Sequence, residues 1–440
     1  MLLRTDWFLT FRGCIPSTAP MKLRLLLPLI ASIVSASAAD WPQYRGPNGD
    51  GSTPDRIASA WGKNPKVLWK VPGGTGFSSF VVRGTNCYTI EGRDKSGLRE
   101  LLVARDAQTG RELWTADLGP AEYGHKGGNE GTSDNRDGDG PRSTPTLADK
   151  LIITTSADLV VHAHDAGSGK LVWRRDLMKE HGGENIRWKN AASPLLEAKM
   201  IYVGGGGPGQ TFLALDSQTG AVVAKTGDDT ITHATPVAAT IHGKRQIIFF
   251  TKSGLTAFEP ATLKQLWHAD FPFNVSTAAS PVVHGDLVYC SAGYGVGAAA
   301  FKISNSDANW SAEQVMRVPG DRQIANHWST PVLHEGHLYG MFQFKKYGSG
   351  PVKAVKLPDG EVKWEKDGFG PGHVVLTNGQ LLALSDAGEL VLISAQPDSY
   401  QELARAKVLD GKCWTTPAIS GGLVFVRSSK EAACVDLRPN

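Results

Sequence analysis

The sequence predicts an all-β fold, an eight-bladed β-propeller of four-stranded antiparallel blades. Three observations support this prediction: a turn motif that recurs in register, a second phrase that begins each repeat, and a strand count that leaves the last repeat one strand short. Repetition at a fixed period indicates a repeat architecture such as a propeller. The 50 Gly and 25 Pro in 440 residues are typical of many short strands joined by tight turns.

The turn motif places an Asp four residues before a Gly and, in its full form, a Trp four residues after that Gly. An Asp side chain accepts hydrogen bonds from the backbone just after it, and Gly adopts positive φ without a steric clash. The Trp can then fill the gap between neighbouring sheets. We therefore interpret these residues as structural, not catalytic. The motif positions, complete or weakened, are Asp106, Gly110, Trp114, Asp165, Gly169, Trp173, Asp216, Gly220, Trp267, Trp364 and Trp69.

The second phrase consists of two small residues followed by Pro and an apolar pair, and we interpret it as the start of the first strand of each blade. Two looser versions bring the number of starts to eight. The six clear copies have their Pro at Pro145, Pro194, Pro236, Pro281, Pro331 and Pro417, and the looser ones lie at Ser78–Val81 and His373–Val375.

Strand counting predicts how the ring closes. Eight first, second and third strands are followed by only seven fourth strands, and the chain ends where the eighth should begin. The segment 66–71 has the features of a fourth strand, including Trp69, but nothing precedes it in its own blade. We expect 66–71 to pair with the C-terminal blade, which closes a propeller over residues 66–440 and shields its sheet edges. Residues 40–65 are then an N-terminal arm lying against the disc.

The N-terminal region predicts export. Met21 opens a basic stretch, an apolar run from Leu25 to Val34 and small residues ending at Ala38 and Ala39, which is the pattern of a secretory signal peptide over 21–39. Residues 1–20 are then a mis-called extension, with cleavage near Ala38 or Ala39. We expect a periplasmic or secreted protein without a transmembrane segment, since no later stretch reaches 18 apolar residues.

Charge and cysteine content argue against a nucleic-acid-binding protein and against a disulfide-rich protein. After the leader, 42 basic and 42 acidic residues remain, so we expect no nucleic-acid binding. Cys87, Cys290, Cys413 and Cys434 are too few and too scattered for a disulfide framework, and we expect them to be free and buried.

Residues that precede the first strands predict a binding site. In a propeller they ring one mouth of the axial channel, and here several are His or Trp, which the fold does not require. Stacking rings and ring nitrogens suit a flat or partly polar ligand. The alternative is that they only plug the channel. The candidate ligand-binding residues are Arg142, Asn190, His233, His327, Trp328, His373 and Trp414.

A calcium loop is a second candidate site. Asn135, Asp137 and Asp139 alternate before Gly140, as the first half of a Ca²⁺-binding loop does. The position where such a loop carries its final Glu is Thr146, so a solvated Gly/Asp insertion is the alternative interpretation.

The repeated Ala-x-Asp-x-x-Thr-Gly-x-x-x-Trp phrase resembles the docking motif of pyrroloquinoline-quinone-type repeats, over nearly all of the chain after the signal. This resemblance implies an eight-bladed propeller. It covers quinoprotein alcohol dehydrogenases and also the propeller subunit of the outer-membrane assembly machinery, which carries no quinone. Many of the dehydrogenases have two adjacent Cys above the quinone, and this sequence has no such pair.

We therefore expect an exported, monomeric binding or protein-interaction scaffold, with a protein partner or small molecule at the mouth and no assigned cofactor. The first alternative is an oxidoreductase that uses pyrroloquinoline quinone and Ca²⁺ at an atypical site. The second alternative is a carbohydrate- or peptide-binding propeller. Fold alone does not choose among these functions.

Overall fold

Eight antiparallel blades of four strands each follow one another around the ring, one of them extended by a fifth strand, which confirms the predicted propeller. The computed structural model describes residues 9–10, 13, 40–94, 98–120, 140–307, 309–321, 323–342 and 350–439. The signal peptide predicted over 21–39 lies outside the described residues. In the part of the chain that is described, no helix is long and apolar enough to cross a bilayer.

Two strands precede the first complete blade: β1 (Ser52–Thr53) and β2 (Lys66–Pro72). Blades 1 and 2 are formed by β3–β6 (Val81–Arg83, Asn86–Asp94, Leu98–Asp106, Glu112–Pro120) and β7–β10 (Thr146–Ala148, Leu151–Thr155, Val160–Asp165, Leu171–Asp176). Helix α1 (Leu177–His181) follows blade 2. Blades 3 and 4 are formed by β11–β14 (Leu195–Glu197, Met200–Gly204, Phe212–Asp216, Val222–Thr226) and β15–β18 (Val237–Ile241, Lys244–Phe250, Gly254–Phe258, Gln265–Asp270).

The second half of the ring repeats the same order. Blades 5 and 6 are formed by β19–β22 (Val282–His284, Leu287–Ala292, Gly297–Ser306, Asn309–Pro319) and β23–β26 (Val332–His334, His337–Met341, Val352–Lys356, Val362–Lys366). Blade 7 contains β27–β30 (His373–Thr377, Gln380–Leu384, Glu389–Ser394, Glu402–Lys407). Blade 8 contains β31–β33 (Ala418–Ser420, Leu423–Arg427, Glu431–Asp436) and takes β2 as its fourth strand.

Ring closure occurs where the strand count predicts it. Strand β2 pairs antiparallel with β33, from Lys66 opposite Asp436 to Pro72 opposite Glu431. The Trp69 ring is buried between blades 8 and 1, and its Nε1 donates to the carbonyl of Ala107 at 2.9 Å. The first and last parts of the propeller are thus held in one sheet.

The turn motif joins each blade to the next. The carboxylate of Asp106 accepts hydrogen bonds from the backbone and hydroxyl of Thr109, both at 2.8 Å. Gly110 has φ of 71°, and a Cβ at this position would lie 2.6 Å from the Trp69 ring of the preceding blade. Gly169 faces Trp114 in the same way. Glycine is therefore required at this position for two reasons: the turn needs positive φ, and the neighbouring Trp ring leaves no space for a Cβ.

The small-small-Pro phrase has a role that its sequence alone did not reveal. In five blades, the residue just before the Pro, or its counterpart Ser79, carries a hydroxyl that accepts a backbone N–H from an adjacent blade. Five such bonds of 2.8–3.1 Å follow the axis: Thr416 to Ser79, Ser79 to Thr144, Thr144 to Ser193, Ser193 to Thr235, and Ser280 to Thr330. This ring of hydroxyls holds neighbouring blades together around the channel.

A buried ionic cluster stabilises the seam between blades 8 and 1. The fully buried Arg427 donates to the carbonyl of Ile90 at 2.6 Å, and Glu91 accepts from Arg93 and Arg105 at 2.8 and 3.3 Å. Burial alone would raise the pKa of Glu91, but the neighbouring guanidinium groups bring it below its usual value. Because three guanidinium groups surround it, this carboxylate stays ionised although it is buried.

Candidate functional site

The mouth of the channel is lined from equivalent positions of different blades. Phe77, Arg142, His233, Trp328 and Trp414 each stand two residues before the axial hydroxyl of their own blade. The rigid hydroxyl ring therefore fixes the backbone that carries them. Side chains placed on such a scaffold can present a defined surface to a ligand.

Seven rings at this mouth form a continuous chain, which we call the aromatic belt. Successive centroids are 5.0, 4.9, 4.7, 4.7, 6.3 and 6.2 Å apart. In order of contact the belt comprises Phe77, Trp414, Trp328, His327, Tyr294, Trp188 and His233.

Two loops reach the belt through unusual backbone conformations. Trp188, Lys189 and Tyr294 have φ of 68°, 58° and 59°, in the left-handed region that residues other than Gly rarely adopt. The Nη1 of Arg142 donates to the carbonyl of Trp188 at 3.0 Å and holds the first loop in place. Backbone strain of this kind clusters at functional sites, which favours a role for these loops in binding.

Cations accompany the aromatic rings. The guanidinium of Arg187 lies 4.4 Å from the Trp188 ring centroid, and the Nζ of Lys412 lies 4.7 Å from that of Trp414. Both distances fall within the range of cation–π attraction. Of these two cations, Arg187 is exposed and Lys412 is buried, so Arg187 is the one that an incoming ligand can reach.

The two belt histidines are neutral at physiological pH. Burial lowers the pKa of His327 to about 4 and, with the nearby Arg142, that of His233 to about 3. Among the described residues, neither the Nε2 of His233 nor the Nδ1 of His327 has a hydrogen-bond partner. Each ring is thus uncharged and holds one buried nitrogen that has no partner among the described residues.

Some predicted residues lie away from the belt. His373 begins β27, where its Nδ1 lies 3.2 Å from the hydroxyl of Thr416, deeper along the channel. The side chain of Asn190 exchanges hydrogen bonds of 3.1 Å with the backbone of Ala192 and so shapes its own loop. The calcium candidates Asn135, Asp137 and Asp139 lie outside the described residues.

The sequence prediction missed several belt residues. Tyr294 lies in the loop between the second and third strands of blade 5, and such loops reach the same face as the loops before first strands. Phe77 occupies the position of Trp328 and Trp414, but its blade has the looser starting phrase. Arg187 had no sequence signal, because the chain contains many solvated arginines.

The described residues do not fit a calcium-bound quinone. Such a site needs several carboxylate or amide oxygens around one cation, yet no three His, Cys, Asp or Glu side chains of the described chain are grouped to hold a metal. Two residues that carry suitable oxygens have different neighbours: the amide nitrogen of Asn185 donates to Asp158, and Asp321 accepts from the N–H of Gly295. Packing between Trp328 and Trp414, at 4.9 Å, leaves no room for a flat ring between them.

Fold and mouth together define a closed eight-bladed propeller with an opening lined by aromatic rings. Sequence comparison gives the family: the model described as outer membrane protein assembly factor BamB matches residues 99–339 and 348–436, so the chain belongs to that family. No curated protein gave a significant match to the whole sequence.

Solved structures support the same architecture. BamB from Moraxella catarrhalis is 14% identical with a TM-score of 0.58, covering 84% of this chain and 97% of its own. Quinohemoprotein alcohol dehydrogenase from Comamonas testosteroni is 13% identical with a TM-score of 0.63, covering 91% and 81%. The computationally designed protein Ika8 is 10% identical with a TM-score of 0.55, covering 84% and 99%. Because a designed protein matches about as well as natural ones, these similarities establish the fold alone.

Proposed function

We propose that this protein is a non-enzymatic interaction scaffold that captures a protein partner at the aromatic belt. The observation that carries the proposal is the belt itself, which joins seven rings from separate blades and loops at one mouth. Aromatic and Arg side chains are enriched among the residues that dominate protein interfaces. A partner site also agrees with the poor fit of these residues to a quinone.

The rim indicates the chemistry of the partner segment. Tyr294 is 57% exposed and Arg187 is exposed, so both are accessible to an incoming chain, whereas Trp414 is nearly buried and packs against Phe77 and Trp328. A segment that places an apolar or aromatic side chain beside a carboxylate would match the rings and the cations together. We infer that the partner is an acidic segment with exposed apolar residues.

The predicted signal peptide and the family together support a periplasmic location. An exported member of a family described as an outer membrane protein assembly factor would act in the periplasm, where its partners would be other proteins of that assembly process. A rigid disc suits a role in positioning a partner, since no conformational change of the scaffold is needed.

The experiment is site-specific photo-crosslinking in the native host. Benzoylphenylalanine replaces Tyr294 at the belt or, as a control, Gln265 on the exposed outer strand of blade 4. We expect a discrete protein adduct from Tyr294 but not from Gln265. Charge reversal in Arg187→Glu should reduce that adduct at least tenfold, whereas Arg111→Glu, in the exposed hairpin turn of blade 1, should leave it unchanged.

Two results would contradict the proposal. Equal adducts from both positions, or an adduct that persists in Arg187→Glu, would show that the belt does not select a partner. Tryptophan quenching by pyrroloquinoline quinone that requires Ca²⁺ would instead support the oxidoreductase alternative.

A further inference from the structure

The arm covers the inner edges of the first strands on one side of the ring. Trp41 pairs with Val82 of blade 1, and the carbonyl of Pro42 accepts from the N–H of Leu147 in blade 2. Strand β1 then adds to β27 of blade 7 as a parallel fifth strand, with Ser52 opposite Leu376. The chain thus uses strand addition to close this end of the channel.

On the other side of the ring, the first strands of blades 3, 4 and 5 border an open cavity instead. Its volume is about 470 Å³, within the range of ligand-binding pockets. The opposite wall is formed by the arm, including Asn48 and Gly49, and apolar side chains such as Leu195, Val282 and Leu333 line the interior. The cavity is therefore a partly apolar slot beside three strand edges.

Strand β15 presents a backbone edge to this slot. Among the described residues, β15 is an edge strand of its four-stranded sheet. It is joined to β16 by a two-residue turn, His242–Gly243, in which both residues have positive φ. Such a turn pairs the backbone of Ile241 with Lys244. Because hydrogen-bonded and non-hydrogen-bonded pairs alternate along an antiparallel ladder, the N–H and C=O groups of Ala238 and Thr240 point away from β16. Both residues line the cavity, so these backbone groups face it.

A buried hydroxyl adds a second, independent indication of a ligand. Ser280 is 3% exposed, and its Oγ has no hydrogen-bond partner among the described residues. It lines a small adjoining cavity of about 10 Å³, room for one water-sized polar group, that shares Gln43, Asn48 and Val237 with the larger one. An orphaned hydroxyl of this kind is costly unless something bonds to it.

The two arginines at the cavity are already engaged. The guanidinium of Arg245 forms a bidentate pair with Glu197 at 2.6 and 2.9 Å. Arg45 donates to the carbonyls of Thr330, Asp50 and Pro331 at 2.6–2.8 Å. The groups that remain for a ligand are backbone amides, the side chains of Asn48 and Thr240, the carboxylate of Asp50 and, in the adjoining cavity, the hydroxyl of Ser280. Because both lining arginines are engaged, an extended chain without acidic side chains is a better match than an anionic small molecule.

We propose that this cavity binds an extended peptide segment of a partner protein, which adds as a strand to the inner edge of β15. The paired residues are uncharged with small or apolar side chains, and one polar group of the segment reaches the Oγ of Ser280. Five residues of β15 offer about 17 Å of edge. This site lies at the end of the channel opposite the aromatic belt and is independent of the function proposed there.

The test selects a phage-displayed library of random nine-residue peptides on the immobilised protein. Thr240→Pro removes the cavity-facing N–H while leaving the β15–β16 ladder, and Thr240→Ala keeps that N–H as the matched control. We expect enriched peptides to bind the wild type and Thr240→Ala equally, to lose at least tenfold affinity in Thr240→Pro, and to lose severalfold affinity in Ser280→Ala.

Hydrogen exchange gives a readout that does not depend on the folding of the proline variant. Adding an enriched peptide to the wild type should slow exchange in 237–241 but not in the first strand of blade 2, which the arm already covers. The proposal is overturned if no peptide is enriched, if enriched peptides bind Thr240→Pro as tightly as the wild type, or if exchange in 237–241 is unchanged by a bound peptide.

Discussion

The backbone N–H of Thr416, in the last blade, donates to the Oγ of Ser79, in the first blade, at 2.9 Å. This bond continues the ring of axial hydroxyls across the point where the chain closes on itself. Both residues are buried, so the bond is shielded from water and its loss leaves a buried donor unpaired. Closure therefore has an axial component in addition to the outer pairing of β2 with β33.

Removing this hydroxyl should destabilise the closure. Ser79→Ala leaves the Thr416 N–H without its acceptor, and we expect a loss of about 1–3 kcal/mol in the free energy of unfolding. Ser79→Thr restores a hydroxyl of the kind that Thr144 and Thr330 supply elsewhere in the ring and should recover most of the loss. Urea unfolding measures both, and equal destabilisation by Ala and Thr would show that packing, not the hydrogen bond, matters at this position.

The pairing of β2 with β33, which closes the propeller, depends on the ring of Trp69. It contacts Phe80 and Phe425 at centroid distances of 6.3 Å and is nearly buried. Trp69→Ala should lower the free energy of unfolding by about 3–5 kcal/mol, as for other large buried rings. Lys70→Ala, on the same strand, loses only an exposed ion pair and should cost less than about 1 kcal/mol. Similar melting curves for the two variants would argue against a closing role for β2.

Buried histidines should make the protein less stable in mild acid. The folded-state pKa of His327 is lowered to about 4, so the unfolded chain takes up a proton below about pH 6.5 while the folded chain stays neutral. Stability should therefore be full above pH 6.5 and fall as the pH drops toward 4, by up to roughly 1.4 kcal/mol per pH unit for this group.

Two variants isolate the contribution of His327 to the loss of stability in acid. His327→Gln should flatten the dependence of unfolding free energy on pH between 6.5 and 4, whereas His284→Gln, at an exposed position of β19, should leave the slope unchanged. If His327→Gln keeps the wild-type slope, the acid sensitivity arises from other groups.

The four described cysteines should behave as inert thiols in the folded state. Cys87, Cys290, Cys413 and Cys434 are all free and buried, as predicted, and burial raises the pKa of Cys413 and Cys434 to about 12. In protein that starts at residue 40, a thiol reagent should modify none of them rapidly under native conditions and all four after unfolding without reductant. Fewer than four thiols in the unfolded protein would indicate a disulfide.

Much of the fold was predictable because the repeat is local. The Asp106 turn, the positive φ of Gly110 and the alternation of the strands all arise from neighbouring residues, and their recurrence gave the blade count. The unpaired strand at Lys66–Pro72 then required a closed ring, and the structure confirms this pairing.

The candidate site was less predictable. Equivalent positions before first strands identified His233, Trp328 and Trp414, because the topology places such positions around one mouth. The same argument included His373, whose ring bonds to Thr416 deeper in the channel. It omitted Tyr294, since contact with His327 depends on how two loops from different repeats meet.

By itself, the sequence determined the architecture, the register of the turns and the way the ring closes, because these follow from short-range backbone preferences repeated eight times. Tertiary structure alone decided which hydroxyl meets which backbone N–H around the axis, how the aromatic belt is ordered, and that the arm covers the first strands of blades 1, 2 and 7 while leaving a cavity beside β15. The physical reason is that these contacts join residues up to several hundred positions apart, where packing and not local conformational preference determines the partner.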